Sequence, residues 1–291
     1  MIPMFRLSFF LLALPFVGCA LPDPGSLGLQ IASVETATPE ERTVELNELH
    51  NPDVDLPAVE ASPDRLEFIS CNVDGPYLAM TFDDGPHPTL TPKLLDILAK
   101  RNIKCTFFVL GPLVKRFPDI VKRIVAEGHE VANHTMTHRD IRKIPLGRLH
   151  KELKEGHKLL VEVTGQKPIL FRPPFGGYND RLTNIIYKEY GYPMIIWSVD
   201  SNDWKRPGVD KVTNTLINDS HNGAILIAHD IHTPTIQAMP KALDGILERG
   251  FTFVTVSQLI GLERSQGRIP ANYRTNLAAV KRLSSFGPGD L

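Results

Sequence analysis

The segment Thr81-Phe82-Asp83-Asp84-Gly85-Pro86 sets two carboxylates side by side where the apolar run Tyr77-Leu78-Ala79-Met80 breaks into a turn. Further on, His134-Thr135-Met136-Thr137-His138 holds two imidazoles four residues apart. Imidazoles at that spacing reach a common point if the backbone between them is helical or tightly turned. Two histidines and a carboxylate are the donor set of a hydrolytic metal site, with coordination positions left open. Each piece has a plainer explanation on its own. Histidines four apart occur on ordinary solvated helices, and Asp-Gly-Pro is common turn chemistry. Turn chemistry explains one aspartate but not two, and the histidine pair follows a predicted strand, so the combination points to bound metal.

Three later segments complete a pattern: Arg172-Pro173-Pro174-Phe175-Gly176, Asp200-Ser201-Asn202-Asp203-Trp204 and Ile225-Leu226-Ile227-Ala228-His229-Asp230. In order and spacing the five segments resemble the motifs of polysaccharide deacetylases of the NodB-homology type, also called carbohydrate esterase family 4. The residues themselves do not say which aspartate does which task. The resemblance implies that Asp84, His134 and His138 hold one divalent metal, zinc first, with cobalt, nickel or iron also compatible with the donors. It implies that Asp83 is the general base and that Arg172 pairs with it, keeping it ionised. The Phe175 backbone N–H becomes an oxyanion donor. His229 becomes the general acid for the leaving nitrogen, with Asp203, or in second place Asp200, raising its pKa. Trp204 and Ile227 wall the slot for the acetyl methyl. Without the other motifs, Arg172 would read as a surface arginine on a rigid Pro-Pro loop, and Ile227 as core packing.

Amide hydrolysis requires an activated water, a stabilised oxyanion and a protonated leaving group, so the elements must bring all of these residues together. Short apolar runs predict strands at 78–82, 106–109, 130–132, 169–171, 194–198, 224–228 and 251–255. Between them, helices are expected at 90–101, 119–127, 146–163, 181–190, 209–219 and 235–249. The clearest is 146–163, where Leu146, Leu149, Leu153, Leu160 and Val163 recur at helical spacing between Pro145 and Gly165. Strand-helix alternation implies an α/β fold with a parallel sheet, open or closed. Asp83 and Asp84, His134, Arg172, Asp200 and His229 each follow the end of a different predicted strand. A barrel gathers such ends around one mouth. The family resemblance agrees, implying a distorted (β/α) barrel of about seven parallel strands.

The chain has 291 residues, 42% hydrophobic, and a formal net charge of -1. The basic footprint of a nucleic-acid binder is absent, and that class is set aside. Residues 1–18 read as a signal peptide: Arg6 precedes an apolar stretch too short to span a bilayer. Phe16-Val17-Gly18-Cys19 resembles a lipobox, with Phe16 where leucine is usual, while Gly18-Cys19-Ala20 also satisfies the small-residue rule for ordinary cleavage. Lipidation at Cys19 is the expected outcome and would be the chain's membrane attachment. Residues 19–65 form a Pro- and Glu-rich tether, with a short helix near 40–49. The deacetylase-like domain is expected over 66–262, and 263–291 as a C-terminal extension. These features imply an exported protein, in the periplasm or cell envelope or secreted. Cys71 and Cys105 could form a disulfide or remain buried thiols.

The remaining histidines are discounted. His150 and His157 fall on the long predicted helix, His50 in the tether and His221 near a turn. His129 satisfies buried backbone groups, and His87 and His232 sit near motifs without a catalytic role. The expected substrate is an N-acetylated polysaccharide of linked N-acetylglucosamine, peptidoglycan before chitin or chito-oligosaccharides. An acetyl ester would suit the same chemistry. A non-catalytic glycan-binding lipoprotein on a degenerate scaffold is the opposing class. Loss of Asp83 or His229 would have favoured it, and both are present.

Overall fold

The structure, a computed structural model, describes residues 65–265. The expected signal peptide, tether, short helix near 40–49 and Cys19 lie outside the described residues, as does the C-terminal stretch beyond 265.

The strands are β1 (Glu67–Phe68), β2 (Tyr77–Asp83), β3 (Thr106–Val109), β4 (Glu130–Asn133), β5 (Met194–Ile195), β6 (Val199–Asp200), β7 (Ile225–His229) and β8 (Thr252–Phe253). The helices are α1 (Leu90–Ala99), α2 (Gly111–Arg116), α3 (Pro118–Ala126), α4 (Leu146–Thr164), α5 (Asp180–Tyr190), α6 (Val209–Asp219), α7 (Thr233–Glu248) and α8 (Val256–Ser265). The result is an α/β fold on a parallel sheet. Its strand order is β4-β3-β2-β7-β6, β8 also pairs with β2, and β1 pairs with β5.

β2 lies at the centre and shows why a near-continuous apolar run becomes a buried parallel strand. Leu78, Met80 and Phe82 pack with Leu94, Leu95 and Leu98 of α1 and with Met239 and Leu243 of α7. Ala79 packs on the other face with Phe108, Ala132, Ile195 and Ile225. Each large side chain so buried contributes about 1.5–3 kcal/mol. Alternation then places Thr81 and Asp83 on the same face as Ala79, pointing inward.

The expected helices are present to within two residues at each end. α4 follows Pro145, which occupies the N-cap position, and ends at Gly165 in the left-handed conformation at φ 69°. Three strand expectations need correction. The predicted strand 169–171 is reduced to isolated bridges in which Phe171 links Asn133 to Met194. It is bracketed by Pro168 and by Pro173 and Pro174, which lack the N–H a longer ladder needs. The predicted strand 194–198 breaks in two because the chain changes partners: Ile196 N–H donates to Phe68 O, whereas Ser198 N–H donates to Ile225 O. The predicted strand 251–255 shortens to β8, because Thr255 starts α8. Its hydroxyl accepts Gln258 N–H at 3.3 Å while Gln258 Oε1 accepts Thr255 N–H at 2.9 Å, a reciprocal capping box.

Arg65 and Glu263, just outside the expected 66–262 span, are both buried and form a two-pronged ion pair at 2.7 Å. Cys71 and Cys105 are buried free thiols. Among the described residues, no helix is long and apolar enough to cross a membrane.

Candidate active site

The strand ends meet at a cleft of about 530 Å³ lined by Asp83, Asp84, His134, His138, Pro173, Phe175, Gly176, Trp197, Asp200, Trp204, Ile227 and His229. Successive residues of a strand face opposite ways, so two adjacent aspartates would normally not share a pocket. Here β2 stops at Asp83, and Asp84 turns left-handed at φ 71°, bringing the second carboxylate to the same mouth. Gly85 follows against the Asp230 carboxylate, where a Cβ would stand 2.4 Å from Asp230 Oδ1 and nothing larger than glycine fits. Burial lifts the Asp230 carboxyl to about 7, offset in part by the Thr91 hydroxyl that donates to it.

The two aspartates have different partners. Asp83 Oδ1 accepts from Arg172 Nη1 at 2.7 Å. Arg172 is fully buried, and its other donors go to the Thr81 hydroxyl at 2.7 Å, Ile195 O at 3.2 Å and Ile196 O at 3.0 Å. Its guanidinium lies 4.1 Å from the centre of the Phe108 ring. This is no surface arginine.

Asp84 Oδ1 faces the histidines, 3.5 Å from His134 Nε2 and 3.2 Å from His138 Nε2. His134 Nδ1 lies 2.8 Å from Arg172 O. A carbonyl only accepts, so Nδ1 carries a proton there, and Nε2 is the nitrogen turned toward Asp84. The backbone from His134 to His138 is a tight turn and not a helix, with Thr135 at φ 73° and His138 at φ 52°.

These three groups have the character of a divalent cation site. Among the described residues they form the cluster whose ligand atoms lie within 4.8 Å of one another. Asp84 Oδ1 is buried with no hydrogen-bond partner, an arrangement costly for a carboxylate unless a cation meets it. Burial pushes Asp84 up, but the neighbouring imidazoles of His134 and His138 outweigh it and hold it at about 2. Burial lowers the His138 pKa, opposed by Asp84, which favours the neutral imidazole that ligation requires.

Across the cleft, His229 Nδ1 and Asp203 Oδ1 lie 2.7 Å apart. Asp203 Oδ2 accepts His229 N–H and the Thr235 hydroxyl, both at 2.7 Å. Asp203 is therefore the partner of His229. Asp200 lines the cleft but accepts from Asn202 N–H at 2.7 Å. Burial lowers the His229 pKa, yet the hydrogen bond and charge of Asp203 overcome this and raise it to about 9. Strand register sets the two sides of the cleft next to each other, because β2 pairs with β7 so that Asp83 stands opposite His229 and Thr81 opposite Ile227.

Phe175 is 67% exposed and left-handed at φ 61°, its ring 4.6 Å from that of His138. Trp204 is 55% exposed at the rim, whereas Ile227 is buried in the wall. Every site residue expected from sequence thus reaches the cleft, except Arg172 and Asp203, which sit behind it against Asp83 and His229. Thr81, Thr235 and Trp197 were not anticipated. Thr81 and Thr235 belong to strand and helix runs that give no local sign of their partners, while Trp197 lies seven residues before Trp204 in an apolar run. Of the other histidines, His129 Nδ1 accepts the buried Cys105 N–H, and burial lowers its pKa to about 3. His150 pairs with Glu189, His157 with the Tyr192 hydroxyl, and His87 accepts from the first amides of α1.

The sequence model for polysaccharide deacetylase matches residues 71–195. The peptidoglycan-N-acetylglucosamine deacetylase PgdA of Listeria monocytogenes is 37% identical over 191 residues, 66% of this chain and 40% of its own length. A peptidoglycan-N-acetylglucosamine deacetylase of Bacillus cereus is 39% identical over 63% of this chain and 87% of its own. A chitooligosaccharide deacetylase of Rhizobium leguminosarum bv. trifolii is 34% identical over 67% of this chain and 96% of its own. Among solved structures, the Bc1960 peptidoglycan N-acetylglucosamine deacetylase superposes with a TM-score of 0.63 at 31% identity, covering 66% of this chain and 91% of that one.

His134→Ala and His138→Ala should each lower the zinc bound per folded chain by elemental analysis, with far-UV circular dichroism retained. Unchanged stoichiometry in both variants would refute ligation.

Proposed function

The chain belongs to the polysaccharide deacetylase family, of the NodB-homology or carbohydrate esterase 4 type, and on that premise we propose that it removes N-acetyl groups from N-acetylglucosamine units of a cell-wall glycan, peptidoglycan foremost. The chain matches well under two thirds of the Listeria relative, so the substrate reading rests on the shorter Bacillus protein as well as on the cleft. The observation that carries the reading is the placing of a guanidinium-held carboxylate and a carboxylate-held imidazole at paired positions beside the Asp84, His134 and His138 cluster. We read the sheet as the expected distorted (β/α) barrel, because hydrogen bonds continue from β4 through 170–172 to β5 and on to β7.

A divalent ion held by Asp84, His134 and His138, zinc or a metal of similar preference, supplies Lewis acidity toward water and the acetyl carbonyl. Asp83 accepts a proton from the attacking water, and the Arg172 hydrogen bond fixes its direction. The Phe175 N–H, at the rim of a rigid proline loop, donates to the developing oxyanion. His229 delivers its Nε2 proton to the leaving sugar nitrogen, its Nδ1 held by Asp203. Trp204 and Ile227 flank the acetyl methyl, and the exposed indole offers a face for a sugar ring. Chito-oligosaccharide is the second substrate reading, supported by the Rhizobium relative. The N-terminal sequence supports an exported location, with lipid on Cys19 as the first reading and ordinary signal cleavage as the second.

Purified protein should release acetate from peptidoglycan more rapidly than from chitin oligomers or acetylxylan, and a chelator should stop it. Preference for chitin oligomers would move the assignment to the second reading, and no acetate from any of them would end it. The pH dependence follows from His229. Its folded-state pKa lies above the ordinary 6.5, near 9, so the acid form persists through neutrality and is lost as pH rises through that value. Asp203→Asn removes the raising charge and should move the alkaline limb of kcat to lower pH. A limb that stays in place would assign it to another group.

A further inference from the structure

We infer that Glu152 of α4, which belongs to none of the chemistry-bearing segments, is the positioning residue for the turn that carries both histidine ligands. The inference rests on the metal reading above. Glu152 is 1% exposed and lies outside the cleft lining. Its Oε2 accepts the backbone N–H of Met136 at 2.9 Å and of Thr137 at 2.7 Å. Its Oε1 accepts the Thr137 hydroxyl at 2.6 Å and Arg148 Nε at 2.9 Å. Three of these donors belong to the residues between His134 and His138.

The turn needs such a grip because its backbone is unfavourable. Thr135 and His138 both hold positive φ, and for Thr135, a β-branched residue, that conformation is a genuine outlier. The bond inside the turn, His138 N–H to the Thr135 hydroxyl at 3.1 Å, links those two residues and leaves the Met136 and Thr137 amides to find partners elsewhere. Glu152 supplies them, and the same helix secures the start of the turn. Asn133 Oδ1 accepts Thr135 N–H at 2.9 Å, while Asn133 Nδ2 donates to Leu153 O at 3.2 Å. Gly156 leaves room for that amide, since a Cβ there would stand 2.9 Å from Asn133 Oδ1. One face of α4 thus fixes the turn at two points, and His138 Nε2 is directed at Asp84 as a consequence.

A carboxylate suits this position, because its two oxygens accept from all four partners at once. A glutamine can keep its oxygen on the Met136 and Thr137 amides and turn its NH₂ to the Thr137 hydroxyl, but it loses the charge that strengthens those bonds and cannot accept from Arg148 Nε. Partners of this kind behind metal ligands typically change metal affinity 10–100-fold when altered.

The test is Glu152→Gln in the full chain, read by zinc affinity against a competing chelator and by the visible spectrum of the cobalt-substituted protein. The zinc Kd should weaken by about 10–100-fold and the cobalt bands should shift, with far-UV circular dichroism retained. Glu152→Asp, which keeps the charge, should recover part of the affinity. A role confined to stability would lower the melting temperature of the metal-free protein while leaving the Kd and cobalt spectrum of folded molecules unchanged, and that result overturns the inference. If Glu152→Gln does not fold, Thr137→Val serves instead: a weakened zinc Kd supports the grip, and a native one overturns it. A native chain that binds no zinc would overturn the metal reading and this inference together. Zinc binding equal in native and Glu152→Gln chains would overturn this inference alone.

Discussion

The cleft depends on one buried charge. Arg172 has no exposure to solvent, and desolvating a guanidinium costs several kcal/mol unless its donors are matched. They are matched, and by groups from separate parts of the fold: Asp83 and Thr81 on β2 and the carbonyls of Ile195 and Ile196 at and after β5. The same residue's carbonyl takes the Nδ1 proton of His134. One residue therefore aims the candidate base, sets the tautomer of a candidate ligand and ties the strands on either side. A lysine could not substitute, because its single ammonium cannot span these directions.

Around that charge the site is assembled from strand register and local backbone exceptions. Register places Asp83 against His229, so the candidate base and the candidate acid are neighbours on adjacent strands despite being far apart in the chain. Four of the described non-glycine residues with positive φ, Asp84, Thr135, His138 and Phe175, lie at the cleft or in the turn between the histidines. Each such conformation costs on the order of 1–3 kcal/mol and persists only where surrounding bonds hold it. Those bonds are visible: Asp230 packs on the turn after Asp84, and the Asn133 side chain accepts from Thr135. Strain held at these positions fixes the groups ahead of any ligand.

Much of this was readable in the residue order. The pattern of α6 marks its bounds at 209–219, and the five segments stand at the ends of different predicted strands. Other features depend on contacts between distant parts of the chain. Residues 169–171 are apolar enough for a strand, but flanking prolines limit them to bridges. β1 and α2 are too short for periodicity to register. The start of α8 is legible in the residue order, since Thr255-Val256-Ser257-Gln258 is a capping box. The different partners of Asp83 and Asp84 depend on the φ of 71° at Asp84, which no composition or spacing announces.

In the proposed reaction Asp83 handles the proton and Asp84 belongs to the cation. The most direct measurement is acetate release by Asp83→Asn alongside its zinc content. The expected result is turnover reduced by about 10²–10⁴-fold with zinc stoichiometry unchanged. Turnover close to that of the native chain, or loss of zinc in step with activity, would contradict the division of labour between the two carboxylates.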